Sequence, residues 1–300
     1  MSLEHTSKAL KQIDFKKLAR NISHIENETP GYEDILTQLP PSETRIIGIT
    51  GAPGSGKSTL TDTLISEVIK DKKKVGVLCV DPSSPFHHGA LLGDRIRMSQ
   101  WYNHPDVFIR SLASKGSLGG LHPKIIEIAD VMKSGAFDYI IIETVGIGQS
   151  EVDIAALADI TIVVLVPEGG DVIQTMKAGL MEVADIFVIN KYDRPDANVF
   201  YNSLKQMLAP AFHHSTREIP ILKTIASQND GINELYSKIS SWKFDVQEPN
   251  KINLMTEKAW SLIQSKKMKG IKMEKLKKDL EKALSNPEFN LYKFVGKYAR

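Results

Sequence analysis

The chain has 300 residues, 42% of them hydrophobic and 25% charged, enough apolar material to bury a core and too balanced for a disordered or fibrous chain. Lysine and arginine number 38 against 36 acidic residues, a formal net charge of +2, which argues against nucleic acid as the partner of the whole surface. The longest apolar run, Ile160 to Pro167, is far short of the roughly 20 residues a membrane helix needs, so no membrane insertion is expected, and the single Cys79 can form no internal disulfide, which suits a reducing, cytoplasmic setting.

Residues 1–41 read as an N-terminal helical extension. Leu10, Ile13, Leu18, Ile22 and Ile25 recur among charges at a roughly helical spacing, and Pro30-Gly31 and Pro40-Pro41 interrupt the pattern. From Arg45 the period changes. Ile46 to Thr50, Val75 to Val80, Val107 to Ile109, Tyr139 to Ile142, Thr161 to Val166, Ile186 to Ile189 and Ile219 to Leu222 are short runs rich in β-branched residues, mostly separated by stretches of helix length. Such alternation predicts an α/β domain over residues 42–245, a mostly parallel, doubly wound sheet covered on both faces. After Trp242 the strand signal stops. Residues 246–300 form a third segment, with helices expected over 253–266 and 271–284 about a Lys269-Gly270 break. Between Lys251 and Arg300 stand 13 basic and 5 acidic residues, so the rest of the chain is net acidic. That basic surface is either a meeting place for a partner or the solvated side of lysine-rich helices.

Between the first strand and the helical stretch Leu60 to Lys70 lies Gly51-Ala52-Pro53-Gly54-Ser55-Gly56-Lys57-Ser58-Thr59, a complete G-x-x-x-x-G-K-S phosphate loop. Gly51, Gly54 and Gly56 let the backbone around Ser55 wrap so that N–H groups point at phosphate oxygens, and the helix that begins near Thr59 adds its dipole to the same anion site. Lys57 is placed to reach the β- and γ-phosphates, and the Ser58 hydroxyl to ligate Mg2+. A nucleoside triphosphate is the expected ligand.

Asn190-Lys191-Tyr192-Asp193 follows the run Ile186 to Ile189. A carboxylate such as Asp193 accepts from both N1–H and the 2-amino group of guanine but meets only an acceptor at N1 of adenine, so GTP and GDP are the expected nucleotides. Ser227, after the last strand, is the natural third base contact through its backbone N–H. Asp81 and Glu143 end two strands, and Asp94 stands in Gly93-Asp94-Arg95-Ile96-Arg97. Carboxylates at this edge of such a sheet are where Mg2+ or its waters find hard oxygen ligands; Asp81 before Pro82 is also open to a plain turn-forming role. Gly146 can offer its N–H to the γ-phosphate. Arg95 and Arg97 either meet the charge that develops on the phosphoryl group or pair with nearby acids. His87-His88 is not joined by further clustered ligands, and exposed loop histidines are the simpler account.

These segments together resemble the MeaB/ArgK family of P-loop GTPases over roughly residues 40–245. The most specific stretch is Glu143-Thr144-Val145-Gly146-Ile147-Gly148-Gln149-Ser150-Glu151, with glutamate where small GTPases have aspartate. The resemblance implies a Mg2+-dependent GTPase of P-loop fold, with Lys57 and Ser58 as the phosphate and Mg2+ contacts, Asp81, Asp94 and Glu143 as the acids around the metal, and Asn190 with Asp193 reading guanine; Lys57, Glu143 and Arg97 are the residues expected to carry catalysis. It further implies a homodimer joined through the C-terminal helices and a chaperone role that gates cofactor loading of an adenosylcobalamin-dependent acyl-CoA mutase, coupled through Glu168 to Gln174. His87-His88-Gly89 and Glu168-Gly169-Gly170-Asp171 depart from the family pattern. Leu91 to Met98 and Arg110 to Ala113 also look similar to GTPase domains fused to isobutyryl-CoA mutases, so the cognate mutase is left open. Older descriptions of the family suggest two alternatives. A kinase would need an acceptor pocket with a base, which no motif supplies, and the other is an ATPase or GTPase subunit serving lysine, arginine and ornithine transport.

Overall fold

The structure, a computed structural model, describes residues 14–81, 98–114, 121–145, 154–155, 157–167, 180–212, 219–242, 249–268, 270–271, 273–286 and 289–298. The helices α1 (Phe15–Glu26) and α2 (Tyr32–Thr37) come first, followed by β1 (Arg45–Thr50), α3 (Lys57–Lys70), β2 (Val75–Asp81) and β3 (Val107–Ala113). Next are α4 (Ile125–Lys133), β4 (Tyr139–Glu143), β5 (Ile160–Leu165), the single turn α5 (Leu180–Val183), β6 (Ile186–Ile189), α6 (Ala197–Phe212), β7 (Ile221–Lys223) and α7 (Ile232–Ser240). The helices α8 (Pro249–Met268), α9 (Met273–Leu284) and α10 (Leu291–Val295) close the chain. It divides into two compact units, Met1–Phe244 and Asp245–Arg300.

In the first unit the described strands form one seven-stranded sheet in the order β3-β2-β4-β1-β5-β6-β7, and every pairing is parallel. Alternation along each strand sends side chains to two different cores. Ile47, Ile49, Val77 and Ile141 face Leu60, Leu64 and Val68 of α3 and Leu235 and Ile239 of α7. Their neighbours Ile46, Leu78, Ile140 and Ile142 face the other way, against Ile22 and Ile25 of α1 and Ile128 and Met132 of α4. Farther along that second face, Val163, Phe187 and Ile189 meet Leu204 and Leu208 of α6. Burial on both sides is why these strands read as unbroken apolar runs, and each fully buried isoleucine or leucine contributes about 1.5–3 kcal/mol of transfer free energy.

Two strands differ from their predicted extents by more than one residue at an end. β3 continues past Ile109 to Ala113 through the polar Arg110 and Ser111. It is an edge strand, and the Arg110 guanidinium donates to Glu26 Oε2 at 2.6 Å and to Ser23 Oγ at 3.2 Å, both on α1. The covering helix thus gives Arg110 its partners, a contact the alternation signal does not reveal. β7 begins at Ile221, after Pro220. Pro220 has no N–H for a ladder and uses only its carbonyl, which accepts from Phe187 N at 2.9 Å.

Within the second unit, α8 and α9 lie on either side of Gly270. Phe294 of α10 is buried and stands 5.4 Å from the Tyr298 ring, and the Tyr298 hydroxyl donates to Asp279 Oδ2 of α9 at 2.8 Å. Among the described residues no helix is long and apolar enough to cross a membrane.

Candidate nucleotide site

β1 lies between β4 and β5, and the chain leaves it toward β2 on one side before returning to β5 on the other. The loop after Thr50 therefore opens at the carboxyl edge of the sheet, at the switch point where open α/β sheets hold ligands. Two of its glycines are required sterically. Gly51 has φ +142°, and a Cβ there would lie 2.1 Å from the Val164 carbonyl oxygen of β5; Gly56 has φ +90°, and a Cβ there would lie 2.3 Å from Asn190 Nδ2. Only glycine allows both the left-handed turn and the close approach.

Lys57 is buried at the start of α3. Its ammonium donates to the carbonyls of Gly51 at 2.8 Å and Ala52 at 3.1 Å, so the charge sits inside the loop, where phosphate oxygens are stronger competing acceptors. The Ser55 hydroxyl is buried with no hydrogen-bond partner among the described residues, a donor that a phosphate oxygen would satisfy. The first turn of α3 adds backbone N–H groups and the positive end of the helix dipole.

Beside the loop stand two carboxylates, Asp81 and Glu143, each 3% exposed. Glu143 pairs in register with Cys79, and Cys79 belongs to the core on the α3 side of the sheet. Asp81, two residues beyond Cys79, shares that side, so both acids face the helix that carries Ser58. The Ser58 hydroxyl donates to Glu143 Oε1 at 2.6 Å, and the Thr61 hydroxyl donates to Glu143 Oε2 at 3.0 Å. Thr144 N donates to the Ile49 carbonyl at 3.1 Å, and the Thr50 and Thr144 hydroxyls are 2.9 Å apart, which ties the ends of β1 and β4 together. The donor set of hydroxyl and carboxylate oxygens is hard and fits Mg2+. Among the described residues no three His, Cys, Asp or Glu side chains gather to hold a metal by themselves, the usual condition for Mg2+, which takes one or two carboxylates and completes its shell with phosphate and water oxygens.

The base side is joined to the phosphate side through one amide. Asn190, 3% exposed at the end of β6, donates through Nδ2 to the Ser55 carbonyl at 2.9 Å, and its Oδ1 accepts from Thr224 Oγ1 and Ala226 N, both at 3.1 Å. The loops after β1, β6 and β7 are thereby held together. Lys191 follows with φ +56°, and Tyr192 N donates to the Thr224 carbonyl at 3.1 Å. Asp193 and Ser227 are exposed at the same edge. Behind them Lys223 Nζ lies 4.7 Å from the centre of the Tyr192 ring and 4.3 Å from that of Tyr201. The Tyr192 hydroxyl holds the Lys223 ammonium above its ordinary pKa, and that hydroxyl donates to Asn198 Oδ1 at 2.7 Å.

Of the residues singled out in the sequence, Lys57, Ser58, Glu143 and Asn190 are thus interlocked with the glycine loop, with Asp81 alongside. Asp94, Arg95, Arg97, Gly146, the His87-His88 pair and residues 147–151 and 168–174 lie outside the described residues. Sequence reasoning passed over Thr61, and it included Thr224 in the base-contact segment and Thr144 in the Glu143–Glu151 motif without giving their hydroxyls, or that of Thr50, a role. Thr61 alone carried a legible signal, since it stands three positions after Ser58 and so shares its helix face.

The family model described as methylmalonyl-CoA mutase-associated GTPase MeaB matches residues 18–283. A Pyrococcus abyssi protein provisionally named as a GTPase is 47% identical over 236 residues, 77% of this chain and 72% of that one. The fused isobutyryl-CoA mutase of Geobacillus kaustophilus is 38% identical over 240 residues, 74% of this chain but 22% of the much longer mutase. Among solved structures, a LAO/AO transport system kinase aligns with a TM-score of 0.62 at 23% identity, covering 96% of this chain and 93% of that one, a likeness of fold.

Proposed function

The chain belongs to the MeaB family of methylmalonyl-CoA mutase-associated GTPases, and from that premise we propose that it hydrolyses GTP to GDP and phosphate as a timing device for an adenosylcobalamin-dependent acyl-CoA mutase. The observation that carries the nucleotide reading is the Asn190 amide, which joins the phosphate loop at Ser55 to the loop after β7 and so makes one site of two motifs far apart in sequence. In this reading Lys57 and the loop N–H groups hold the β- and γ-phosphates and stabilise charge on the transferring phosphoryl group. Gly146 N–H and Arg97 are assigned to the γ-phosphate on their sequence motifs alone.

Ser58, Asp81, Asp94 and Glu143 hold Mg2+ directly or through its waters. The ion, when bound, neutralises charge on the phosphate oxygens. Asn190, having spent one Nδ2 hydrogen on Ser55, keeps the other for the base; Lys191 flanks the base, Asp193 reads its N1–H and 2-amino group, and the Ser227 N–H its carbonyl. Among the described residues no side chain of the site is placed as a general base, and slow turnover by the chain alone, accelerated by a partner, is the expected behaviour.

The mutase partner is supported by the family description and by a relative in which a homologous region is fused to isobutyryl-CoA mutase. Homodimerisation through residues 246–300 is supported by the large apolar side chains that unit exposes, Trp260 at 62% and Tyr292 at 86% among them. The deciding experiment measures mutase binding with GDP and with a non-hydrolysable GTP analogue, together with GTP turnover with and without mutase. Different affinities in the two states, and faster turnover in the complex, are expected. Equal affinities with unchanged turnover, across the adenosylcobalamin mutases of the source organism, would reject the chaperone role and leave the GTPase standing.

A further inference from the structure

Glu143 has both carboxylate oxygens engaged by hydroxyls of the same helix face: Oε1 by Ser58 at 2.6 Å and Oε2 by Thr61 at 3.0 Å. The arrangement is buried, with Glu143 at 3% and Thr61 at 0% exposure. A carboxylate held at one oxygen can still swing about its last torsion, which is broad and roughly two-fold; held at both, it is fixed in plane. A serine hydroxyl has one proton and two lone pairs. With that proton donated in a hydrogen bond to Glu143 Oε1, the Ser58 oxygen has only lone pairs to present elsewhere, which is the state a metal ligand needs.

We propose that Thr61 is a positioning residue for the Mg2+ end of the nucleotide site, acting through Glu143 to set the direction of the Ser58 hydroxyl proton and so the orientation of the Ser58 lone pairs. The inference rests on the GTPase reading above. It gives the third position after the P-loop serine a task distinct from core packing. Loss of the Thr61 hydroxyl removes the hold on Glu143 Oε2, and the Ser58 hydroxyl is then less firmly oriented when the metal binds. Supporting partners of metal sites typically contribute 10–100-fold in metal affinity, and a group acting through an intermediary is expected at the low end, on the order of tenfold.

Release of a fluorescent GDP analogue provides the test, followed in EDTA and across a titration of free Mg2+, so the readout is binding and not activity. Thr61→Val keeps the β-branched shape and removes the hydroxyl; Thr61→Ser keeps the hydroxyl. The expected result is an EDTA release rate close to the parent in both variants, a Mg2+ midpoint raised on the order of tenfold in Thr61→Val, and a near-parental midpoint in Thr61→Ser. A parental midpoint in Thr61→Val overturns the proposal while the metal reading survives. A Thr61→Val variant that releases GDP faster in EDTA by the same factor as in Mg2+ also overturns it, since the threonine would then be supporting the fold alone. If Mg2+ does not slow release from the parent itself, the assignment of the metal residues fails first, and that failure is visible before any variant is compared.

Discussion

Removing the Asn190 amide would leave the Ser55 carbonyl and the donors Thr224 Oγ1 and Ala226 N, all buried, without the partner they now share. A buried group that loses its hydrogen bond costs about 1–3 kcal/mol, so Asn190→Ala is expected to lower the unfolding free energy by about 3 kcal/mol in urea denaturation. Asp193 is exposed at the edge of the site. Asp193→Asn should change stability by less than about 0.5 kcal/mol yet erode the preference for GDP over ADP, as isothermal titration would show; equal affinities for the two nucleotides in the parent would reject the guanine assignment. Gly56→Ala combines φ +90° with a contact of 2.3 Å to Asn190 Nδ2. It should separate the phosphate loop from Asn190 and weaken GDP binding by at least about tenfold, or about 1.4 kcal/mol.

Elements of the fold divide into those that build the site and those that only cover the sheet. α1 belongs to the second kind, since its Ile22 and Ile25 are fully buried against the face opposite α3. Ile22→Ala should cost about 2–4 kcal/mol in urea and leave GDP affinity as in the parent. At the far end of α3, the Tyr236 hydroxyl of α7 donates to Asp71 Oδ2 at 2.6 Å, and Lys73 Nζ lies 2.7 Å from the same oxygen. Burial, then the hydrogen bond to Asp71, hold the Tyr236 phenol well above its ordinary pKa of 10.0. The phenol is therefore still protonated in the fold at a pH where the unfolded chain has lost that proton. Its contribution is complete below pH 10 and declines above it. The urea midpoint of the parent should fall as pH rises above 10, and fall less in Tyr236→Phe.

For the molecule as a whole, a ligand that binds only the folded state stabilises it by mass action. GDP at 100 times its dissociation constant should add about 2.7 kcal/mol, read as a rise in thermal midpoint that ADP at the same concentration does not match. EDTA should reduce that rise if Ser58 and the two buried acids hold Mg2+. Because the chain is basic after Lys251 and net acidic before it, any association made through those basic residues should weaken as ionic strength rises, as a salt titration would show.

The local chemistry of this protein was legible in its sequence. Strand, glycine loop and helix follow one another over a few residues, and the β-branched runs buried on both faces of a parallel sheet announce themselves by unbroken apolarity. That is why the phosphate loop, the class of sheet and the break at Gly270 could be read directly. Strand limits were legible only where burial followed apolarity: Arg110 continues β3 because α1 supplies its Glu26 partner, a contact between residues 84 apart. Tertiary structure alone decided what holds the site together. The parallel order β2-β4-β1-β5-β6 brings Glu143 beside Ser58 and Thr61, and Asn190 beside Ser55. Hydrogen bonds of this kind require alignment within about 3 Å, and no spacing along the chain encodes an alignment that arises only when crossover helices stack separate strands side by side.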